Sequence, residues 1–214
     1  MKKNNSHNLA FTNDEVIRNA LRIILEKDLE KYRTENKHPA QIFEEFGVKH
    51  GIARIDIAVI NGIMHGYEIK SDKDTLNRLR EQMKEYNTVF DKLTLVVGKH
   101  HLYNAINIVP DWWGIVVAKI DSNNEIVFNT IREAEKNKEQ VGSSIAQLLW
   151  REEALQILEK RNKATGFRSK PREVIYERLA NVVSMDILKK NVRDTLLISR
   201  EGWRSDLLLA SNDD

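Results

Sequence analysis

Arg-Ile-Asp-Ile-Ala-Val-Ile-Asn-Gly-Ile-Met-His-Gly-Tyr-Glu-Ile-Lys, residues 54–70, is the stretch whose reading decides the fold. Two apolar runs, 55–60 and 67–69, flank Gly62 as the arms of a hairpin, yet each arm carries charge where a buried strand calls for aliphatic residues. Asp56 lies on the first arm, Glu68 and Lys70 on the second. Cross-strand neighbours sit close together, so the two carboxylates are expected side by side, and strand alternation turns Glu68 and Lys70 to one face. Burying such charges unpaired is costly, and a divalent cation would remove the repulsion between the carboxylates. Hard cations such as magnesium take carboxylate and carbonyl oxygens and keep waters, one of which a nearby lysine can orient or deprotonate.

Asp56 followed by Glu68-Ile69-Lys70, in the form Asp…Glu-x-Lys, resembles the catalytic signature of the PD-(D/E)XK nuclease superfamily. The longer string from Glu68 through Ser71-Asp72-Lys73-Asp74-Thr75-Leu76 to Leu79, and on to Trp112-Trp113-Gly114, is more narrowly similar to the bacterial "sce" family of nuclease-like proteins, whose role is unassigned. The resemblance implies an α/β fold with a restriction-endonuclease-like core, a mixed central sheet flanked by helices. It also implies magnesium or manganese held by Asp56, Glu68 and the main-chain carbonyl of Ile69, with Lys70 positioning the attacking water. Glu45, in Glu45-Phe46-Gly47, best matches a further acidic ligand, with Glu44 as the alternative. Gln82 and Tyr86, four apart on the helix expected next, resemble the Gln-x-x-x-Tyr pair of RecB-like nucleases. That likeness casts Gln82 as a neighbour of the catalytic lysine or a phosphate and Tyr86 as its support. Arg78 and Tyr86 near the site, with Lys170 and Arg172 further on, are the expected nucleic-acid contacts. DNA is the implied partner, and the resemblance allows a homodimer, since many relatives cut duplexes as dimers.

Composition agrees with a folded core. The chain has 214 residues, 41% hydrophobic and 31% charged, which predicts one domain with an appendage. The absence of cysteine excludes disulfides and thiolate metal sites. No apolar run is long enough to span a membrane, and Met1-Lys2-Lys3-Asn4-Asn5 lacks the apolar segment of a signal peptide, so a cytoplasmic location is expected. The net charge of +2 is unevenly placed: residues 160–204 carry twelve Lys and Arg against five acids, whereas residues 1–159 come to −2. A local basic surface is the electrostatic footprint of a phosphate polymer, although a solvated helical face would look the same. The boundaries that follow are a nuclease-like core over 12–135 and a basic helical extension over 143–204.

In chain order, a polar tail to about Thr12 leads into a helix with Asp14 and Glu15 in its first turn and Val16, Ala20, Ile23, Ile24 and Leu25 at helical spacing. Residues 41–48 read as either a strand or a last helical turn. After the hairpin, Ser71–Asp74 offers capping side chains, and Leu76, Leu79, Met83, Tyr86 and Phe90 predict a helix of about four turns. Leu93–Val97 and Gly114–Ile120 read as buried strands, which makes the sheet a hairpin with a parallel continuation. His100 and His101 read as surface loop, and Trp112 and Trp113 as packing at the sheet edge. Beyond Asn123 the strand signal fades into a charged connector. Helical spacing returns from Ser143, with two short helices at 172–183 and 185–198 that resemble a helix-turn-helix in outline only; packing against the core is the plainer expectation.

The expected activity is metal-dependent hydrolysis of phosphodiester bonds, of DNA. Its rival is a nucleic-acid-binding or adaptor protein that keeps the scaffold without cutting; intact Asp56, Glu68 and Lys70 argue against it, since a retired site has no reason to keep charges in apolar strands. A hydrolase of small phosphorylated molecules would not need the basic segment.

Overall fold

The computed structural model describes residues 11–199. The polar tail before residue 11, and Arg200 and Arg204 of the basic segment, lie outside them. Six strands form one sheet in sequence order: β1 (Gln41–Val48), β2 (Ala53–Ile60), β3 (Met64–Lys70), β4 (Lys92–Gly98), β5 (Gly114–Ile120) and β6 (Ile126–Arg132). β1 to β3 run antiparallel, β3 to β5 parallel, and β6 returns antiparallel to β5. Helices flank both faces, as the α/β class expected from the sequence requires. Gly62, at φ +96°, makes the hairpin turn in a conformation that L side chains rarely adopt. Parallel neighbours need a crossover, which α2 (Leu79–Tyr86) and α3 (Leu102–Ile106) supply.

One face is covered by α1 (Asp14–Asn36), whose first turn is capped by Asn13 accepting from the Val16 N–H at 2.9 Å. It buries Ile17, Leu21, Leu25 and Leu29 against Ile57, Val59, Ile69, Val96 and Ala118. Of the stripe expected from the sequence, only Leu25 is buried, while Val16, Ile23 and Ile24 are exposed. Two apolar stripes run side by side on this helix. The sheet takes the one whose long side chains recur every fourth residue, because they form a single ridge.

The other face carries α2, α3 and then α4 (Gly142–Ala146), α5 (Arg151–Glu159), α6 (Arg172–Val182) and α7 (Met185–Ser199). Phe43, Phe46, Leu93 and Leu95 of the sheet share one core with Leu149, Leu158, Ile175, Tyr176, Leu179 and Leu196. The helical extension is therefore packed on the core, as the plainer expectation had it. Lys189, expected among the basic residues, is buried: its ammonium pairs with Asp91 and donates to Gln140 at 2.8 Å, while Asp91 accepts from the Met64 N–H at 2.8 Å. This chain of bonds ties α7 to the start of β3 and β4.

Residues 41–48 are a strand, one of the two readings left open by the sequence. Three local expectations change. The helix after the hairpin has eight residues, about two turns rather than four. Its expected caps are engaged elsewhere: Asp74 accepts from the Ser71 N–H and hydroxyl, and Asp72 from Thr12 and the His100 N–H. Residues 126–132 form β6 where a charged connector was expected. An edge strand with one neighbour can leave Thr130 and Ile131 to solvent, so it needs no continuous apolar run. Trp113 is wholly buried and donates to Asn87 at 2.9 Å, the packing role expected of it.

Candidate active site

The cleft opens where the sheet stops being regular. The β2–β3 ladder runs from Ile60↔Met64 to Ile57↔Tyr67, and one more step would bring Asp56 opposite Glu68. There the strands part. Asp56 Oδ2 accepts from the Ile69 N–H at 2.6 Å, and the Tyr86 hydroxyl meets the Arg54 carbonyl, so side chains satisfy main-chain groups that the ladder has left. Across β1, the pairs Glu44↔Ile57 and Phe46↔Ile55 bracket Glu45, whose φ of +50° breaks the pleat. Phe43 and Phe46, three residues apart, consequently share a face, with ring centroids 5.6 Å apart. A left-handed glutamate inside a strand stores strain of the kind that clusters at functional sites.

Glu68 is 1% exposed. Its Oε1 accepts from Lys70 Nζ at 2.5 Å and Gln82 Nε2 at 2.7 Å, and its Oε2 lies 3.0 Å from the Tyr86 hydroxyl. Burial first, and then the charge of Asp56, push the Glu68 carboxyl up to about 7 despite the Lys70 ammonium. Asp56 is raised too, because burial outweighs the Ile69 N–H and the charges of Arg18 and Lys70. The Tyr86 phenol has one proton facing two oxygens, the Arg54 carbonyl and Glu68 Oε2. A proton on Glu68 removes that shortage, in agreement with its raised pKa.

Sequence reasoning missed Arg18 on α1. Its guanidinium donates to Asp56 Oδ1 at 2.8 Å, to the Asp56 carbonyl at 3.2 Å and to Asp14 at 3.1 Å, and pairs with Glu45 at 2.8 Å. Burial works against its charge, but Asp56, Asp14 and Glu45 together raise its pKa above the ordinary arginine value. The available signal was a cation between the buried Ile17 and Leu21, four residues after Asp14.

A cleft of about 590 Å³ brings together Glu45, Asp56, Glu68, Lys70, Arg78 and Gln82. Gln82, expected to contact the lysine or a phosphate, instead donates to Glu68, and its own Oε1 is buried with no hydrogen-bond partner. Glu45 does not join Asp56 and Glu68: its two oxygens face Arg18 and, at 3.5 Å, Arg54, so the expected extra ligand is engaged by cations. Glu44 faces Arg22 at 3.3 Å. Arg78 is exposed at the start of α2. Tyr86, named as a nucleic-acid contact, is wholly buried behind Glu68; it serves that carboxylate and does not reach a ligand. Arg172 borders a second hollow of about 510 Å³ that shares Glu45, Gly51 and Arg54 with the first and also exposes Trp150. Lys170 is exposed and borders neither hollow.

The donor set fits a hard cation. A carboxylate oxygen offers two acceptor positions. Each Asp56 oxygen takes one side-chain-directed bond, from Arg18 or Ile69, and Glu68 Oε2 takes one, so acceptor positions remain on both residues. Among the described residues no group of three or more His, Cys, Asp or Glu side chains is placed to hold a metal ion. Two carboxylates suit magnesium or manganese, which retain several waters, better than a metal needing an all-protein cage.

Among the described residues no helix is long and apolar enough to cross a membrane. A solved protein of unknown function from Silicibacter pomeroyi is similar at 17% identity and a TM-score of 0.35, covering 64% of this chain and 88% of that one. "Protein cII" of Enterobacteria phage P4 is 35% identical over 88 residues, 41% of this chain and 33% of the phage protein, so the match spans about a third of that relative's length. The family described as bacteriophage P4 protein cII matches residues 14–212, nearly the whole sequence, and the chain belongs to that family.

Proposed function

We propose that the protein is a metal-dependent nuclease of the PD-(D/E)XK type, hydrolysing phosphodiester bonds of DNA in the cleft between β2, β3 and α2. The observation that carries this reading is that Asp56, a buried Glu68 and the Lys70 that contacts it at 2.5 Å line one cleft just where the ladder of β2 and β3 parts. A purely structural ion pair has no need of two carboxylates beside an open cleft, both raised by burial and one of them, Glu68, raised further by the charge of the other.

Asp56, Glu68 and the Ile69 main chain would hold magnesium or manganese. When bound, that cation would lower the pKa of a water and neutralise charge growing on the phosphate. Each protein group then has a task. Ile69 N–H and Arg18 fix Asp56, while Gln82 and Tyr86 fix Glu68. Lys70 Nζ, anchored on Glu68 Oε1, orients the attacking water and takes part in moving its proton. Arg54 and Arg78 line the same cleft and would meet flanking phosphates; the second hollow, with Arg172 and the exposed Trp150, continues the path.

The test is cleavage of labelled single-stranded, duplex and branched DNA with magnesium or manganese, comparing the natural protein with Asp56→Ala and Lys70→Ala. Metal-dependent cutting that both variants lose while folded supports the reading. No cutting of any substrate, with metal still bound through Asp56, favours a binding or adaptor role on the same scaffold.

A further inference from the structure

Arg18 makes a denser set of contacts with the candidate site than either carboxylate needs for simple neutralisation. Five nitrogen–oxygen contacts converge on its guanidinium: Nε and Nη2 on Asp14 at 3.2 and 3.1 Å, Nη2 on Asp56 Oδ1 at 2.8 Å, Nη1 on the Asp56 carbonyl at 3.2 Å and Nη1 on Glu45 Oε1 at 2.8 Å. The side chain is 16% exposed and Asp56 17%, so their contact is made largely out of water, where charge pairs are strongest, while Glu45 and Asp14 are more open. Glu45 adopts its left-handed backbone at the residue that faces this guanidinium, and its second oxygen is turned to Arg54. Asp56 and Glu45 are thus held by the two terminal nitrogens of one planar cation, Nη2 and Nη1.

We infer that Arg18 stands in the place of a second metal ion, so that the site takes a single divalent cation between Asp56 and Glu68. The inference rests on the proposed metal site and goes beyond it by fixing the number of ions and removing Glu45 from the ligand set. Three features argue for it. A guanidinium cannot lose its proton in a protein, so the position stays cationic at every working pH. A competing ion would have to displace all five contacts at once. Both Glu45 oxygens already face a cation, Arg18 at 2.8 Å and Arg54 at 3.5 Å, so its charge is met without a metal. Arg18 is thus a positioning residue: it sets Asp56 through the side chain and the carbonyl together, leaving the chemistry to Lys70 and the bound cation.

The experiment counts ions. Manganese is titrated into the full chain, and free ion is read by electron paramagnetic resonance, for the natural protein, Arg18→Met, Arg18→Lys, Glu45→Gln and Asp56→Asn, with circular dichroism checking that each folds. The natural protein takes one manganese per chain. Arg18→Met takes two, because Glu45 and Asp56 are freed together; Arg18→Lys, keeping a positive charge, stays at one. Glu45→Gln stays at one with affinity changed less than tenfold, which keeps the inference testable should Arg18→Met not fold. Two ions in the natural protein, one in folded Arg18→Met, or a hundredfold loss of affinity in Glu45→Gln overturns the inference. No manganese bound by the natural protein, or binding unchanged in Asp56→Asn, overturns instead the metal site on which it rests.

Discussion

Glu68→Gln should make the protein more stable at alkaline pH, and the gain should vanish in acid. The carboxyl titrates at about 7 in the folded chain against an ordinary value of 4.5. The folded state therefore holds a proton that the unfolded state has released between those two values, and stability falls as pH rises through the window. Below 4.5 the side chain is neutral in both states and nothing is lost. Above 7 it must be ionised while buried, and the loss reaches about 3 kcal/mol, from roughly 1.4 kcal/mol per pKa unit. Glutamine keeps the shape and can still accept from Lys70 or Gln82, so the variant escapes the titration while losing about 1–2 kcal/mol of charge-assisted bonding. Urea melts of both proteins at pH 5 and pH 8, without divalent cations, measure this. The variant should gain about 2.5 kcal/mol on the natural protein between the two pH values, which is roughly 5–10 °C in melting temperature for a chain of this size. Added magnesium should shrink the difference at pH 8, because a cation offsets the buried charge that glutamine lacks. A difference between the two proteins that does not change with pH would refute the reasoning, since Glu68 would then be ionised at the same pH folded and unfolded.

Tyr86→Phe keeps the ring in the core but removes the hydroxyl from both the Arg54 carbonyl and Glu68; chemical denaturation should show a loss of about 1–3 kcal/mol for the orphaned carbonyl. Lys189→Met leaves Asp91 buried without its cation, so a loss of about 3–5 kcal/mol is expected in chemical denaturation, and Met paired with Asp91→Asn, which can still accept from the Met64 N–H, should recover much of it. Gly66→Ala puts a methyl group against Ile55 and 2.8 Å from Leu93, and thermal melts should show overpacking of about 1–3 kcal/mol.

Residues 54–70 carried most of what was legible. Strand period, the Gly62 turn and the misplaced charges of Asp56, Glu68 and Lys70 all follow from local chemistry, and the structure brings these residues to one cleft. The break in the ladder at Asp56 was not legible, because it depends on Tyr86 and Asp56 satisfying main-chain groups across the fold. Arg18 was hidden for a similar reason: its place between Ile17 and Leu21 marked a cation near the buried stripe, but not that Asp14, Glu45 and Asp56 would converge on it. On α1 the sequence offered two apolar stripes, and only the sheet decided between them. The edge strand β6 lacked the apolar run of β4 and β5 because one side of it has no neighbour. Ser71–Asp74 looked like a helix cap, but those side chains close a loop onto Thr12 and His100.

The account turns on Lys70 acting on the water beside a cation held by Asp56 and Glu68. The most direct measurement is the single-turnover cleavage rate of Lys70→Ala on the best DNA substrate at saturating manganese, taken together with its manganese stoichiometry. Loss of a proton-moving group typically lowers a rate about 10²–10⁴-fold. The account predicts a loss of that size with one manganese still bound. Cleavage at the natural rate with the ion bound would contradict it, because the chemistry would then proceed without the residue around which Glu68, Gln82 and the cleft are arranged.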